Sequence, residues 1–326
     1  PQDRSRRIES GEESKAMSSP RLIIDGQVFQ TDARDRGMGR YSAKMINSII
    51  SQNKYKNIEI ILTKNSHANK LTKEYALKMF PGATLVYLNL IDTTRAKIEK
   101  ATTHNRQVLE SYISESGYDV SKVDFLIPSP FQEPVVSIYP EGVKKIVVFY
   151  DLIPYLYHHR YEEVMQFESY LKRFRLLFDA DVILAISRSV KDDLMVYLGL
   201  PASRIVTIDG APIKSDTQPR RPDSLSIPER FILMPTSDDP RKNNLRAVLG
   251  FEEFRAAQDV DYKLIITSKI HHTEQSRLNI FSKNLIFTGN VSEQELDWLY
   301  ERCDAVLFVP ESEGLGLPIL EGVLAN

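Results

Sequence analysis

The 326-residue sequence lacks several features that would point to particular protein classes. It has one cysteine, Cys303, which excludes an internal disulfide framework and a cysteine-rich metal site and fits a reducing compartment. No apolar run approaches the ~18 residues that a membrane span needs. The net charge is only −2, so charge gives no reason to expect binding to nucleic acid or to an anionic membrane surface.

The beginning of the chain also lacks the hydrophobic core of a signal peptide, because its first 18 residues are polar and charge-rich. We expect residues 1–20 to be a disordered tail or linker, with Met17 as a candidate native start after an added or upstream segment. The remaining composition, 42% hydrophobic and 26% charged, is that of a globular protein, and the length suggests about two domains.

Short apolar runs alternate with helical patterns along the chain. The first-half runs are residues 21–26, 58–63, 84–88, 125–128, 144–150 and 181–186. They are apolar on both faces, which favours a parallel sheet covered by helices on both sides. The sequence therefore predicts an α/β fold.

A proline-rich stretch divides this pattern in two. Residues 211–229 contain four prolines, and a second alternation of strands and helices starts at residue 231. We therefore predict a first domain over residues 21–212, a linker over residues 213–229 and a second domain over residues 230–326.

The last sixteen residues carry the strongest local signal. An apolar run at residues 305–310 predicts a buried strand, two glycines follow, and Pro318 suits the first position of a helix. Such a loop directs unpaired backbone N–H groups at a ligand, most often phosphate. Glu313 in the loop and Glu321 in the first helical turn can face the same ligand; alternatively, Glu321 only complements the helix dipole.

Two further places are candidates on the first half of the chain. Residues 37–40 read GMGR between the first strand and a helix, which is a weak loop signal that also fits close packing at a helix start. Asp151 directly follows the strand at residues 144–150, and ligands of open parallel sheets lie beyond the carboxyl ends of strands. The alternative for Asp151 is a cap on the following turn.

Arg241 and Lys242 follow the first strand of the predicted second domain. Opposite the glycines at residues 314–316 they would form a diphosphate clamp, whereas the alternative is a solvated turn. His158 and His159 are adjacent and point to different faces, so we interpret them as surface or lid residues and not as a metal pair. The Asp-x-Asp strings beginning at Asp179 and Asp259 lie at strand or turn starts, and we reject them as metal motifs.

These pieces together resemble a known family. Residues 313–321 read EGLGLPILE, which is similar to the Glu-x7-Glu motif of the retaining glycosyltransferases of family four. The further matching pieces, all in the expected order, are residues 37–41 (GMGRY), 150–154 (YDLIP), 184–187 (LAIS), 199–205 (GLPASRI), 239–243 (DPRKN) and 287–292 (FTGNVS). The resemblance covers roughly residues 21–326. It implies the GT-B fold: two Rossmann-like, doubly wound domains that face each other across a cleft. Here the second domain is expected to be incomplete and the natural protein longer.

The resemblance also implies roles for individual residues. Lys242 and Arg241 would neutralise the diphosphate of a nucleotide sugar, Glu321 would bind the ribose hydroxyls, and the loop around Val291 would lie against the base. Asp151 and Glu313 are the implied catalytic residues, with Glu313 contacting the sugar. The implied donor-binding residues are Gly37, Gly39, Arg241, Lys242, Val291, Gly314, Leu315, Gly316, Leu317 and Glu321.

The chain departs from the family pattern at two positions. Thr236 stands where many members have an arginine, six residues before the clamp lysine, and Tyr150 stands where many have a histidine before Asp151. Both departures bear on the roles of Tyr150, Asp151 and Arg241.

The expected function is that of a retaining glycosyltransferase of the mannosyl- or rhamnosyltransferase type. It would transfer a hexose, from GDP-mannose as the first choice, to a growing glycan or lipid-linked glycan in lipopolysaccharide or other surface polysaccharide synthesis. We expect no metal or cofactor besides the nucleotide sugar, and no nucleic-acid partner. The expected location is the cytoplasm or the inner face of the membrane, with peripheral membrane or multidomain association. The alternative is a catalytically silent GT-B scaffold module of a larger protein; no motif supports a sugar-nucleotide epimerase on the same fold.

Overall fold

The computed structural model describes residues 20–35, 37–64, 71–161, 167–211, 218–223 and 225–325. Nearly all of the predicted tail, including Met17, and part of the predicted linker lie outside these ranges. Within them, no helix is both long enough and apolar enough to cross a membrane.

The first half of the chain builds a sheet of seven parallel strands. Their bounds are β1 Arg21–Asp25, β2 Asn57–Thr63, β3 Thr84–Leu88, β4 Val123–Ile127, β5 Lys144–Phe149, β6 Val182–Ala185 and β7 Ile205–Thr207. Their order is β3-β2-β1-β4-β5-β6-β7, so the chain proceeds outward from β1 on one side and then from β4 on the other. This doubly wound order places ligand sites at the carboxyl ends of the strands.

A second sheet of four parallel strands follows. Its strands are β8 Phe231–Pro235, β9 Lys263–Thr267, β10 Leu285–Gly289 and β11 Ala305–Val306, in the order β10-β9-β8-β11. The predicted α/β architecture with two doubly wound units is thus confirmed, whereas the exact domain and linker boundaries stay predictions.

Helices connect the strands in both units. Their bounds are α1 Gly37–Ser51, α2 Lys73–Met79, α3 Ile98–Glu115, α4 Ile153–Leu156, α5 Phe167–Arg173, α6 Arg175–Asp179, α7 Arg188–Leu198, α8 Asn244–Gln258, α9 His272–Phe281, α10 Glu293–Arg302 and α11 Leu317–Ala325. α7 is capped at both ends: Ser187 accepts a hydrogen bond from the Val190 N–H, and Gly199 ends the helix with a φ of 63°.

One predicted helix is in fact two. Residues 167–178 have the sequence pattern of a single basic amphipathic helix, but the chain breaks at Phe174 between α5 and α6. The N–H of Phe174 bonds the Leu171 carbonyl three residues back, which tightens the turn. The Phe174 ring packs against Phe131 and Tyr155, with centroid distances of 5.3 and 5.6 Å. Packing of this ring therefore accompanies the break in helical periodicity.

The last strand and helix also differ from the prediction. The run at residues 305–310 forms a strand only over β11, at the sheet edge, and Val309 is 41% exposed. An edge strand lacks a neighbour on one side, and the last backbone bond to β8 is that of the Leu307 N–H. α11 begins one residue earlier than expected, so Pro318 is its second residue and Glu321 lies in its second turn, not its first.

Candidate active site

The loop that precedes α11 lies against the first sheet. We call residues 311–316 the donor loop. A Cβ added to Gly314 would lie 2.2 Å from the Tyr150 carbonyl oxygen, just beyond β5. The Ser187 hydroxyl, beyond β6, donates to the Gly314 carbonyl at 2.6 Å. Only a residue without a side chain fits at Gly314, and the fit brings the carboxyl ends of both sheets together.

Two cations converge on the donor loop, as the sequence predicts. Arg241 Nη1 and Lys242 Nζ each lie 2.5 Å from the same atom, Glu313 Oε1. We call Arg241 and Lys242 the cation pair. The side chains of Arg241, Lys242 and Glu313 are 17, 14 and 20% exposed, so these contacts are partly shielded from water and stronger than surface ion pairs.

A second carboxylate orients Arg241. Asp239 caps the short 3-10 helix Pro240–Lys242 by accepting from the Arg241 N–H, and its other oxygen lies 3.1 Å from Arg241 Nε. Burial opposes the charge of Arg241, but the carboxylates of Glu313 and Asp239 outweigh it and raise the pKa of the guanidinium. Arg241 also donates to the Ser312 carbonyl at 3.0 Å. It is therefore held in one orientation by three acceptors.

A cavity of about 210 Å³ opens beside this network at the carboxyl end of β5. Its polar and aromatic wall consists of Ser129, Phe131, Phe149, Tyr150, Asp151, Tyr161, Tyr170, Asp239 and Arg241. Its volume is below the range of ~300–1,000 Å³ of drug-sized ligand sites, so it suits a single small ring.

Asp151 both lines this cavity and caps a turn. Its Oδ1 accepts from the Ile153 N–H at 3.0 Å, so the capping alternative is confirmed, whereas the functional role of Asp151 stays a prediction. Loss of solvation raises the pKa of the Asp151 carboxyl, while the Ile153 N–H and the charge of Arg241 act in the opposite direction. A carboxyl group with a raised pKa in a cavity is typical of functional sites.

The two departures from the family pattern have structural partners. The Tyr150 hydroxyl lies 2.7 Å from Ser42 Oγ and donates to the Met38 carbonyl at 3.3 Å, so it ties β5 to the start of α1. Thr236 donates to Asn244 Oδ1 at 2.6 Å, at the start of α8. Tyr150 and Thr236 therefore hold neighbouring elements of the site together by hydrogen bonds.

The predicted glycine loop at residues 37–40 is the first turn of α1. Gly39 is there for packing, since an added Cβ would lie 2.2 Å from the Ala33 carbonyl oxygen. Gly37 faces the second unit: a Cβ there would lie 3.9 Å from Leu317 Cδ1, at the start of α11. The amino ends of two helices thus approach each other at the cleft.

Glu321 has other partners than Glu313. It accepts from the Tyr300 hydroxyl at 2.8 Å, burial raises the pKa of its carboxyl group, and the charge of Arg40 counteracts this. Arg40 itself, from α1, pairs with Glu293 of α10 at 2.7 Å. Val291 follows β10, two strands away from β8. The ribose role of Glu321 and the base-side role of Val291 stay predictions.

The two histidines lie outside this network. His158 and His159 are exposed on a short 3-10 helix, with ring centroids 5.9 Å apart and planes at 87°. In the described part of the chain, no group of three or more histidine, cysteine, aspartate or glutamate side chains is arranged to hold a metal ion.

Sequence reasoning missed two residues of the site. Asp239 precedes Pro240, and an aspartate directly before a proline is a recognisable signal for the start of a helix; this signal could have identified Asp239. Tyr161 donates to Asp239 across 78 positions of sequence, and no local pattern indicates such a contact.

Comparisons with known proteins also find similarity to glycosyltransferases. No protein-family model matches the chain. Escherichia coli serotype-specific mannosyltransferase WbdA is 26% identical over 331 residues, which cover 93% of this chain and 39% of that protein. A second protein of the same name and organism is 30% identical over 206 residues, covering 58% of this chain and 25% of that protein. The chain thus spans about two fifths of the length of the first of these relatives.

Solved structures share the fold. A glycosyltransferase from Rickettsia africae matches with a TM-score of 0.60 and 16% identity, over 93% of this chain and 76% of that one. WaaG, a glycosyltransferase involved in lipopolysaccharide biosynthesis, matches with a TM-score of 0.57 and 12% identity, over 94 and 79% of the two chains. The fold is that of the GT-B glycosyltransferases, as the sequence resemblance implies.

Proposed function

We propose that this chain is a retaining glycosyltransferase, or the module of a longer one, that transfers a hexose from a nucleotide-diphosphate sugar to a glycan. The observation that carries the proposal is the convergence of Arg241 and Lys242 on the donor loop at the amino end of α11. Cations, a glycine-containing loop and a helix start are three groups that bind phosphate oxygens.

The charges of the site suit a departing diphosphate. Glycosyl transfer breaks the bond between the anomeric carbon and a diphosphate oxygen, so negative charge develops on the leaving group. Arg241, Lys242 and the backbone N–H groups of the donor loop are fixed in advance and would stabilise that charge. Glu313 would then contact the sugar, and Glu321 the ribose.

The acceptor would approach from the first sheet. The cavity beside Asp151 has aromatic walls and the carboxyl groups of Asp151 and Asp239, which suits a ring with both apolar faces and hydroxyl groups. The anomeric configuration would be retained by attack on the same face of the sugar, so a pair of hydrolase-type carboxylates is not required. A bound metal ion is not required either, because the cation pair supplies the positive charge.

Mannose is the proposed sugar and GDP-mannose the proposed donor. The name mannosyltransferase of the Escherichia coli relatives supports the sugar. The proposed acceptor is a growing or lipid-linked glycan of a surface polysaccharide, with the chain acting in the cytoplasm or at the inner face of the membrane.

A donor screen tests this function. The chain would be incubated with GDP-mannose and with UDP- and dTDP-hexoses, with and without mannosylated acceptors, and nucleotide release would be followed. We expect GDP release from GDP-mannose that depends on the acceptor, and NMR should show a product with the anomeric configuration of the donor. A chain that neither binds nor turns over any of these donors would overturn the proposal. Binding without turnover would favour the silent scaffold module.

A further inference from the structure

Tyr161 links the first sheet to the cation pair. It ends the segment of residues 157–161, which follows β5 and α4 on the side of the first sheet. Its hydroxyl lies 2.9 Å from Asp239 Oδ1 and 3.1 Å from Asp239 Oδ2. Asp239 lies in the loop that follows β8 of the second sheet, so this hydrogen bond crosses the cleft.

Asp239 passes this contact on to Arg241. The same carboxylate accepts from the Arg241 N–H at 3.1 Å and pairs with Arg241 Nε at 3.1 Å. Arg241 in turn reaches Glu313 of the donor loop. Tyr161 is thus the first member of a chain of contacts that runs through Asp239 to Arg241, the residue that would face the proposed diphosphate.

A second contact holds the same segment in place. Arg160 Nη1 lies 2.5 Å from Glu311 Oε2, and the Glu311 N–H donates to the Arg241 carbonyl at 2.8 Å. Residues 157–161 therefore reach the donor site at two adjacent points. The position of Tyr161 in the cleft is therefore fixed by two contacts.

We propose that Tyr161 is a positioning residue for the donor's diphosphate, acting through Asp239 on Arg241. The hydroxyl shares the charge of Asp239 with Arg241. Without it, Arg241 would be the remaining side-chain partner of Asp239, held more tightly by that carboxylate and less available to an incoming phosphate oxygen. Burial and the charge of Asp239 raise the pKa of Tyr161, so the hydroxyl remains a donor at working pH. The inference rests on the proposed function and adds a residue that the family resemblance does not assign.

The test is calorimetric titration of the full chain with GDP and with UDP. Tyr161→Phe removes one hydroxyl and keeps the ring. Because Arg241 would be less available to phosphate, we expect the better of the two nucleotides to bind roughly tenfold more weakly. The matched control is Tyr157→Phe, in the same segment, whose hydroxyl makes no hydrogen bond within the described residues; its affinity should stay within twofold of wild type. Thermal unfolding checks that both variants are folded at the temperature of the titration.

A double-mutant cycle separates positioning from a general structural effect. Since Tyr161 acts through Asp239, Tyr161→Phe should have little further effect on nucleotide affinity in an Asp239→Asn background. Unchanged affinity of Tyr161→Phe, or effects of the two substitutions that add in full, would overturn the inference while leaving the proposed function standing. Wild-type protein that binds neither nucleotide would overturn the proposed function and this inference with it.

Discussion

One oxygen atom of Glu313 receives both members of the cation pair. With Asp239 beside Arg241, two positive and two negative side chains balance, so this group of four has no net charge. A diphosphate that enters must take the place of the Glu313 carboxylate on Arg241 and Lys242. Donor binding would thereby release Glu313 toward the sugar.

Glu313→Gln tests this exchange at the level of one residue. The amide removes the negative charge that competes with phosphate, and charge-assisted hydrogen bonds contribute ~1.5–3 kcal/mol each, so we expect GDP to bind several-fold more tightly. Sugar transfer should fall at the same time, because Glu313 would no longer act on the sugar. Glu141→Gln is the matched control, because Glu141 lies before the amino end of β5 and pairs with Arg106 instead; its GDP affinity should be that of wild type. Equal or weaker GDP binding by Glu313→Gln would contradict the exchange.

Sequence alone identified the cation pair and Glu313, because each belongs to a short motif with a recognisable role. It did not show that they neutralise each other. Lys242 and Glu313 are 71 positions apart in sequence. They meet because β8 and β11, which precede them, are neighbours in the second sheet. Local pattern carries no such information, and the same reason explains why Tyr161 was missed.

At the scale of elements, the first turn of α1 depends on the absence of a side chain at Gly39. A Cβ there would meet backbone atoms, lying 2.2 Å from the Ala33 carbonyl oxygen and 2.6 Å from Arg34 Cα. Backbone cannot move aside as a flexible side chain can. The absence of a side chain at Gly39 therefore allows the short 3-10 helix Asp32–Asp35 to pack directly against α1.

Gly39→Ala should consequently destabilise the protein, by about 1–3 kcal/mol, the usual cost of overpacking. Gly250→Ala is the matched control in the exposed part of α8, where an added Cβ would meet no atom within 4 Å. There alanine should stabilise the helix by about 0.5–1 kcal/mol, since glycine is the poorer helix former. Denaturant unfolding measures both. A Gly39→Ala variant as stable as wild type would show that the close contact is not needed.

Most elements could be predicted from hydrophobic pattern because strands buried on both faces are continuous apolar runs. The exceptions were elements whose limits depend on neighbours. β11 is shorter than its apolar run because it lies at a sheet edge, and the helix at residues 167–178 breaks where Phe174 joins an aromatic cluster. Neither the sheet edge nor the cluster is visible in the local sequence.

At the scale of the whole molecule, the two sheets meet at their carboxyl ends through several specific contacts. Ser187 bonds Gly314, Arg160 pairs with Glu311, and Arg40 pairs with Glu293. The GT-B architecture could be predicted because six further motifs in order accompany the Glu-x7-Glu motif. The contacts across the cleft could not be predicted, since each joins residues that are distant in sequence.

The proposal that this cleft holds a nucleotide-diphosphate sugar is tested most directly by calorimetric titration with GDP-mannose. Wild-type protein should bind the donor, and Lys242→Ala should bind it about tenfold or more weakly, because a charge-assisted contact to phosphate is lost. Lys283→Ala, which removes an exposed lysine whose hydrogen bond among the described residues is to the Asn279 carbonyl, should bind like wild type. Equal affinity of wild type and Lys242→Ala for GDP-mannose would contradict the assignment of this cleft as the donor site.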